Sequence, residues 1–395
     1  MKCVILCAGK STRTYPLTLN RPKPFLTVAG KTLLEHNLDS LKGMVDEAVV
    51  VVGPGKETIR NVLGDRYEDI RITYAEQKEA KGTGHALLQA EGLVKNEEKF
   101  LVLLGDNFYP REAVEECVSY GISVLGQKVP NPEDYGIFVT ESGFLKQIEE
   151  KPKDPKSDLA NAGLFVLNDR VFDAVRNLRP SPRGEYEITD ALKEMIKKIR
   201  FRCFYTKDWF SIVYPWHILE LNRKLLGNMK GGIKGEIEKN VTIKGEVHIG
   251  KLTVVKSGTY IEGPAFIGDN CTIGPNAYIR ANTTIGNNVR FRGEVVNSVI
   301  MDGTTAKHVC YIGHSVVGEN VNIAAGTITA DFRHDGGNHF TIIKGKKIDT
   351  GLRKLGAFIG DNVKTGINTS IYPGRKIWPG LSTLPGEVVD KDRMR

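Results

Sequence analysis

The sequence predicts two architectures joined in one chain: an α/β domain built on a parallel sheet, then a parallel β-helix. Two observations carry this reading. Up to about residue 225, short apolar runs alternate with longer stretches of helical spacing; from about residue 237, an aliphatic residue followed by Gly returns near every sixth position. Strand–helix alternation with continuously apolar strands implies a parallel sheet covered on both faces. A short repeat held in phase over many turns implies a solenoid, in which each aliphatic residue stacks on its copy one coil away.

The elements follow in order. "KCVILCAG" reads as a buried first strand ending in a glycine loop, and "KTLLEHNLDSLKGM" places apolar residues at helical spacing. "DEAVVVVG", "IRITYAEQ" and "KFLVLLGDN" read as the second, third and fourth strands, with "HALLQAEGL" a helix between the last two. Parallel sheets bind ligands at the carboxyl ends of their strands, so chemistry is expected in the loops behind these runs. "GNMKGGIKGE" has the glycine content of a linker. The repeat then passes through Ile249-Gly250, Ile267-Gly268, Ile273-Gly274, Ile285-Gly286, Ile312-Gly313, Val317-Gly318 and Ile359-Gly360. The expected boundaries are 1–225 for the α/β domain, 226–236 for the linker and 237–395 for the repeats.

Bulk composition narrows the partners. The 395 residues are 41% hydrophobic and 26% charged, the balance of a folded protein of two or three domains and not of a disordered one. Lys plus Arg total 55 against 47 for Asp plus Glu. The excess is spread along the chain, without the run of about five or six like charges that marks a nucleic-acid tail, so anionic small molecules are the expected partners. The N-terminal apolar run is too short for a signal peptide, and no stretch approaches the ~18 apolar residues of a membrane span. Cys3, Cys7, Cys117, Cys203, Cys271 and Cys310 form no CxxC pair. Free thiols in a reducing cytoplasm are expected, without a disulfide framework or zinc site.

"LCAGKSTRTYPLTLNRPKPF" sets Gly9, Ser11, Thr12 and Arg13 directly behind the first strand, with Lys23 ten residues after Arg13. Small residues let backbone N–H groups approach a triphosphate, and Arg13 and Lys23 offset its charge. A glycine loop alone is an ordinary way to turn out of a strand; the RPKP segment adds specificity. On these motifs the chain resembles the sugar-1-phosphate nucleotidylyltransferase family. Over nearly its whole length, in the same domain order, it is similar to the archaeal branch of bifunctional enzymes. Those join N-acetylglucosamine-1-phosphate uridylyltransferase to glucosamine-1-phosphate acetyltransferase.

The resemblance implies a Rossmann-like nucleotidyltransferase domain followed by a left-handed parallel β-helix of hexapeptide repeats. It implies that Ala8, Gly9, Ser11, Thr12 and Arg13 hold the nucleotide and that Lys23 meets its phosphates. In "AEQKEAKGTGHAL", Gln77, Gly82 and Thr83 fall where the family reads the base of UTP or dTTP, and "LLGDN" supplies Asp106 as ligand to Mg²⁺. Tyr135 and Gly136 of "EDYGIF", Glu149, Glu150 and Lys151 of "IEEKP", and Asn161 of "NAG" fall where the family lines its sugar 1-phosphate pocket. These residue types suit the reaction. The sugar phosphate oxygen attacks the α-phosphate in line and pyrophosphate leaves, so positioning and charge neutralisation by Arg13, Lys23 and the metal at Asp106 supply the catalysis.

Two positions of the first domain depart from the family pattern. A Trp-x-Asp, whose Asp is a second metal ligand, is expected after the last strand of the first domain; "DWFSIVYPWHILELN" gives Trp209, Phe210 and Ser211 instead. A neutral hydroxyl is a poorer Mg²⁺ ligand than a carboxylate. Asp208 is the candidate substitute, although strand alternation puts it on the face opposite Ser211. Ser11 stands where many members carry glycine.

"AKHVCYIGHSVVGENVNIAAGTITADF" resembles the acetyltransferase region of the bifunctional enzymes. The resemblance implies His308 as general base, Tyr311 and Asn322 as sugar contacts, and Arg280 of "NAYIRAN" as a contact to the sugar phosphate. A neutral imidazole can take the proton of an amine attacking the acetyl-CoA thioester. Val296 and Asp331 stand where the family has Lys and Asn, and a carboxylate at 331 is expected to repel a phosphate. His314, His334 and His339 read as loop or surface residues. Arg353, Lys354, Lys364, Arg375 and Lys376 either face an acetyl-CoA phosphate or form a solvated face.

Three readings follow: the bifunctional enzyme; a single-activity glucose- or mannose-1-phosphate nucleotidylyltransferase with a structural β-helix; and a non-catalytic regulatory homologue that keeps the pocket. The family's habit of packing three β-helices side by side implies a homotrimer or a dimer of trimers.

Overall fold

In the structure, a computed structural model that describes residues 1–54 and 56–394, the first strand, Lys2–Leu6, feeds two cores. Cys3 and Ile5 join one apolar cluster with Val50, Leu101 and Leu103, while Val4 and Leu6 join another with Val49, Val51 and Val102. A strand buried on both faces has to be apolar at every position, which is why these runs do not alternate. Lys2–Leu6 pairs in parallel with Glu47–Val52 and with Phe100–Leu104, and Glu47–Val52 pairs in parallel with Ile70–Glu76. Helix Leu33–Leu41 buries Leu33, Leu34, Leu38 and Leu41 along one stripe.

The sheet is not parallel throughout, which corrects the sequence expectation. Leu159–Leu167 adds antiparallel to Phe100–Leu104; Ser123–Lys128, Arg202–Thr206, Phe144–Glu150 and Gly136–Glu141 continue the sheet, and Arg66–Tyr67 on the opposite edge brings it to ten strands. Gly136–Glu141 and Phe144–Glu150 are separated only by Ser142 and Gly143, both at positive φ, and so tight a connection joins antiparallel neighbours only. The helix expected over "HALLQAEGL" is also broken, into Thr83–Leu88 and Glu91–Val94.

This first unit comprises Met1–Lys10, Pro22–Phe25 and Leu33–Ser211; a second takes up Ser11–Arg21, Leu26–Thr32 and the chain from Ile212 onward. The second unit contains many parallel strands in three sheets of eight, five and eight strands, visited in rotation along the chain, an arrangement consistent with a β-helix. Ile249, Ile267, Ile285, Ile300, Val317, Ile359 and Ile377 are register partners in succession, all fully buried. Each such side chain stabilises the stack by about 1.5–3 kcal/mol relative to exposure. The glycine after the aliphatic residue is needed at Gly268, where a Cβ would meet Asn287 Oδ1 at 2.5 Å and the backbone of Gly286 at 2.8 Å. Corners between strands fall largely to Asn in the left-handed region, as at Asn270, Asn288, Asn320 and Asn362, which Asn tolerates better than most side-chain-bearing residues.

The rotation begins earlier than the repeat pattern indicated. Gly232–Ile233, inside the expected linker, already pairs with Val247–Ile249. Helix His217–Gly227 packs in this unit too: the buried Asn222 accepts from Ala29 N (2.9 Å) and Thr284 Oγ1 (2.7 Å) and donates to the Asn282 carbonyl (3.0 Å). A hairpin, Phe340–Ile343 with Lys346–Asp349, interrupts the coils. Among the described residues no helix is long and apolar enough to cross a membrane. All six cysteines are buried and free.

Candidate functional site

The loop behind the first strand turns through Ser11 in the left-handed region (φ 49°) into a single 3₁₀ turn, Thr12–Thr14. Ser11's carbonyl accepts from Thr14 Oγ1 (2.7 Å) and Thr18 Oγ1 (2.8 Å), and the two hydroxyls meet at 2.9 Å. Gly9 and Arg13 are exposed, and Ala8, Ser11 and Thr12 are half-buried. Within the first unit, the buried Lys23 places its ammonium nitrogen 2.8 Å from Asp106 Oδ2, whose side chain is 43% exposed.

The turn that carries Asp106 is held rigidly. Gly105 has no room for a side chain, since a Cβ there would lie 2.5 Å from Cys7 Sγ. Asn107 donates to the Ala162 carbonyl (3.1 Å) and to Tyr109 Oη (3.2 Å), while Asn37 donates to the Asn107 carbonyl (2.8 Å). Asn107–Phe108 pairs antiparallel with Phe210–Ser211, placing Ser211 opposite Asn107. Burial, reinforced by the charge of Asp106, pushes the Cys7 thiol far above its usual range. Among the described residues no group of three or more His, Cys, Asp or Glu forms a ready metal cage. One exposed carboxylate with a hydroxyl-bearing strand opposite still suits Mg²⁺, which keeps its waters and takes most of its protein bonds from one or two carboxylates.

Gln77, at the end of Ile70–Glu76, is buried. Its Nε2 donates to the Gly82 carbonyl (3.0 Å) and lies 3.0 Å from His85 Nδ1. Burial, followed by the charge of Lys81, lowers the His85 pKa, which keeps the ring neutral and able to accept from Gln77. Gly82 (φ 101°) cannot be replaced, because a Cβ would sit 2.6 Å from the Tyr186 carbonyl. Thr83 Oγ1 accepts from Ile188 N (3.0 Å) and lies 3.4 Å from Glu187 Oε2. Glu187 is raised to about 7, chiefly by burial and against the lowering effect of Arg183.

The sugar-pocket candidates meet around the hairpin. Gly136 is the register partner of Glu150, the Lys151 amide donates to the Tyr135 carbonyl (3.0 Å), and a Cβ at Gly136 would lie 3.1 Å from Glu150 Oε2 and 3.8 Å from Asn161 Cβ. Arg183 bridges Glu150 (3.2 Å) and Glu187 (2.8 Å), so this group and the Gly82–Thr83 segment share one ionic network. The structure does not bring Glu149 to that group. Strand alternation turns it to the other face, against Gln147 Nε2 (3.0 Å) and Lys156 Nζ (3.1 Å). Asp208 also lies apart from Asp106, lining an open cavity of about 720 Å³ with Glu112, Glu116, Gln127 and Lys207. It precedes the strand Phe210–Ser211, so strand alternation does not reach it.

In the second unit, Tyr278, Glu294 and Tyr311 stack as register partners, and Arg280 Nη1 lies 3.1 Å from Glu294 Oε1. Tyr311 Oη donates to Asp331 Oδ2 (2.9 Å), which His314 Nδ1 also meets at 2.7 Å. Burial alone would raise Asp331, but the hydrogen bonds from His314 and Tyr311 hold it below the usual carboxylate range. His308 is exposed on a loop, and Asn322 lies on a different sheet, bonded to Thr305 Oγ1 (3.0 Å). Two expectations for this region are corrected. His314 and His339 lie in loops, as read, but not at an open surface: the first is tied to Asp331, and the buried second bonds the Asp331 carbonyl (3.0 Å). Lys376 belongs to no solvated face; it is buried against Asp392 (3.1 Å) and the Ile342 carbonyl. Sequence reasoning also missed Arg21, His85 and Asn107, which stand inside quoted motifs, Tyr109 two residues after one, and Arg183 and Glu187, which lie near none and carried no signal.

A strand-end loop, a paired Lys23 and Asp106, and a buried Gln77 closing a strand of the same twisted sheet define a nucleotide-handling enzyme. The chain belongs to the nucleotidyl transferase family, whose model matches residues 2–225. Residues 255–372 match a second model, described as the GMPPB C-terminal domain. The chain is 40% identical over 400 residues to the bifunctional protein GlmU of Methanocaldococcus jannaschii, covering 99% of this chain and 95% of that one. It is 40% identical over 402 residues to a bifunctional sugar-1-phosphate nucleotidylyltransferase/acetyltransferase of Sulfurisphaera tokodaii, with 99% and 98% covered. Among solved structures it matches a protein named as a glucose-1-phosphate thymidylyltransferase of Bacillus anthracis, in complex with sucrose. That match has TM-score 0.53 and 30% identity, covering 59% of this chain and 98% of that one.

Proposed function

We propose that the protein transfers a nucleotidyl group from UTP to N-acetylglucosamine 1-phosphate, releasing pyrophosphate, with Mg²⁺ as its metal. The observation that carries this is the Lys23–Asp106 pair at 2.8 Å, in the unit where Gln77 ends the strand Ile70–Glu76. Ala8, Gly9, Ser11, Thr12 and Arg13 take the triphosphate, Lys23 moves charge onto its phosphates, and Asp106 would hold Mg²⁺, which supplies further charge neutralisation there. Gln77 spends its amide hydrogens on Gly82 and His85, which directs its oxygen as an acceptor for the imide N–H of uracil or thymine. Gly82 and Thr83 complete the base contact. Tyr135, Gly136, Glu150, Lys151 and Asn161 take the sugar phosphate, with Glu149 supporting from the other face and Asp208 a more distant acidic residue.

The same reading gives the second unit an acetyl-CoA-dependent acetylation of glucosamine 1-phosphate, with His308 as base and Arg280, Tyr311 and Asn322 as contacts. Its coils form a left-handed hexapeptide-repeat β-helix that assembles as a trimer or a dimer of trimers in the cytoplasm, and the functional division runs 1–225, 226–236 and 237–395. The named bifunctional relatives support it. A single-activity enzyme acting on mannose or glucose 1-phosphate is the second reading, favoured by the match of residues 255–372 to the GMPPB C-terminal domain and by Val296 and Asp331.

Pyrophosphate release across a matrix of UTP, dTTP and GTP with several sugar 1-phosphates, with and without Mg²⁺, tests this. Turnover confined to UTP and N-acetylglucosamine 1-phosphate is the expected result. Turnover only with GTP and mannose 1-phosphate selects the second reading, and nucleotide binding without turnover selects a regulatory homologue.

A further inference from the structure

Arg21 opens the RPKP segment, two residues before Lys23, and its side chain is 9% exposed. Its guanidinium meets two carboxylates of the coils: Nη1 lies 2.5 Å from Glu319 Oε1, 298 residues later in the chain, and Nη2 lies 2.6 Å from Asp361 Oδ1. Met301 Sδ lies 3.4 Å from Nη1. Asp361 is itself fixed, since Oδ1 accepts the Glu319 backbone N–H (2.9 Å). Corresponding corner residues make the same bond elsewhere on the coils, with Asp269 accepting from Lys251 N (2.7 Å) and Asp302 from Asn287 N (2.8 Å). The corner bond is therefore part of the coil architecture, and the guanidinium is an addition to it.

The other end of the Ser11–Arg21 segment is closed by the bonds from Thr14 and Thr18 to the Ser11 carbonyl. Arg13 lies between the two ties, exposed, on a stretch of chain grouped with the coils. A loop closed on itself by internal hydrogen bonds and anchored at Arg21 loses little entropy when it binds a ligand. Both ion pairs are charge-assisted, and the one with Asp361 is largely desolvated while Glu319 is 40% exposed, so the guanidinium is held chiefly at its buried side.

We infer that Arg21, Glu319 and Asp361 are positioning residues for the nucleotide loop: two coil carboxylates hold the segment that presents Arg13 to a nucleoside triphosphate. The inference rests on the reading of that loop as the triphosphate site. Loosening the anchor lets Arg13 wander, which weakens a contact made in both the ground and transition states and so raises KM more than it lowers kcat.

The test is the Glu319→Gln/Asp361→Asn double variant. The side-chain amide oxygen it introduces at position 361 keeps an acceptor for the backbone N–H of residue 319, so the corner survives. Steady-state kinetics, equilibrium titration with Mg²⁺-UTP and a thermal midpoint are measured beside wild type. KM and Kd for the nucleotide should rise about tenfold, with a much smaller change in kcat and in KM for the sugar 1-phosphate. Arg21→Ala should do the same, and Arg21→Lys should recover part of the loss. Nucleotide KM and Kd within twofold of wild type in all variants would overturn the inference. So would a lowered midpoint with every kinetic parameter declining together, the mark of a merely structural link. Wild-type protein that binds no triphosphate would instead remove the underlying reading, and the inference with it.

Discussion

Lys23 Nζ lies 2.8 Å from Asp106 Oδ2, so the lysine assigned to the phosphates and the carboxylate assigned to the metal are each other's partners. The lysine is buried and the carboxylate is not, so a metal can reach Asp106 from solvent while Lys23 turns to a phosphate. Asp106→Asn keeps the shape of the turn and most of its hydrogen bonds but removes the charge. We expect Mg²⁺-dependent pyrophosphate release to fall by about a hundredfold or more while circular dichroism stays native. Unchanged release by the folded variant would sink the metal assignment.

Ser11 offers a cleaner stability test. Its φ of 49° costs a serine roughly 1 kcal/mol that a glycine does not incur, against a somewhat smaller entropic loss for glycine in the unfolded chain. The group that organises the loop is the backbone carbonyl, which Ser11→Gly retains. The variant should therefore be as stable as wild type or more so, by up to about 1 kcal/mol. A drop in the denaturation midpoint would show that the Ser11 hydroxyl contributes more than the strain costs.

These two sites mark what the sequence made legible. Apolar runs located the parallel strands because strands buried on both faces carry a signal that needs no partner, and the aliphatic–Gly pairs located the coils because every turn repeats the same buried contact. Asp106 and Gln77 were found through the family resemblance of "LLGDN" and "AEQKEAKGTGHAL", and both fall just behind such a strand. What stayed hidden depends on distant chain: the antiparallel half of the sheet, where Leu159–Leu167 reaches back to Phe100–Leu104; the early strand Gly232–Ile233; and His314, whose partner Asp331 lies 17 residues on. Glu149 and Glu150 were both assigned to the sugar pocket from the resemblance of "IEEKP", yet adjacency in a strand sends them to opposite faces.

Glu187 sets a pH dependence whose sign is opposite to that of an ordinary paired carboxylate. Burial raises it to about 7 in the folded protein, above the 4.5 of an exposed glutamate, with Arg183 opposing and Glu185 and Glu150 reinforcing the rise. Between those values the folded state binds more protons than the unfolded state, so stability is present below about pH 4.5 and is lost as pH rises toward 7. Glu187→Gln, which is neutral at every pH, should flatten this fall and gain relative to wild type at about pH 8. The check is thermal midpoint against pH for both proteins; parallel curves would mean that Glu187 is ionised throughout.

His308 is the imidazole whose role is simplest to isolate. His314 is held by Asp331 and His339 is buried on the Asp331 carbonyl, whereas His308 is exposed on its loop, away from the first unit's candidate residues in sequence. Its removal leaves the stacked aliphatic core untouched, so the coils should fold normally. In the bifunctional reading, the attacking amine of glucosamine 1-phosphate loses a proton as its nitrogen bonds the acetyl carbon and the C–S bond of acetyl-CoA breaks. A positioned base contributes about 10²–10⁴-fold to such a step. His308→Ala should therefore lose acetylation by at least about a hundredfold while pyrophosphate release with UTP stays at the wild-type rate. Equal acetylation by variant and wild type would exclude His308 as the base, and loss of both activities would mean that the loop supports the fold of the whole chain.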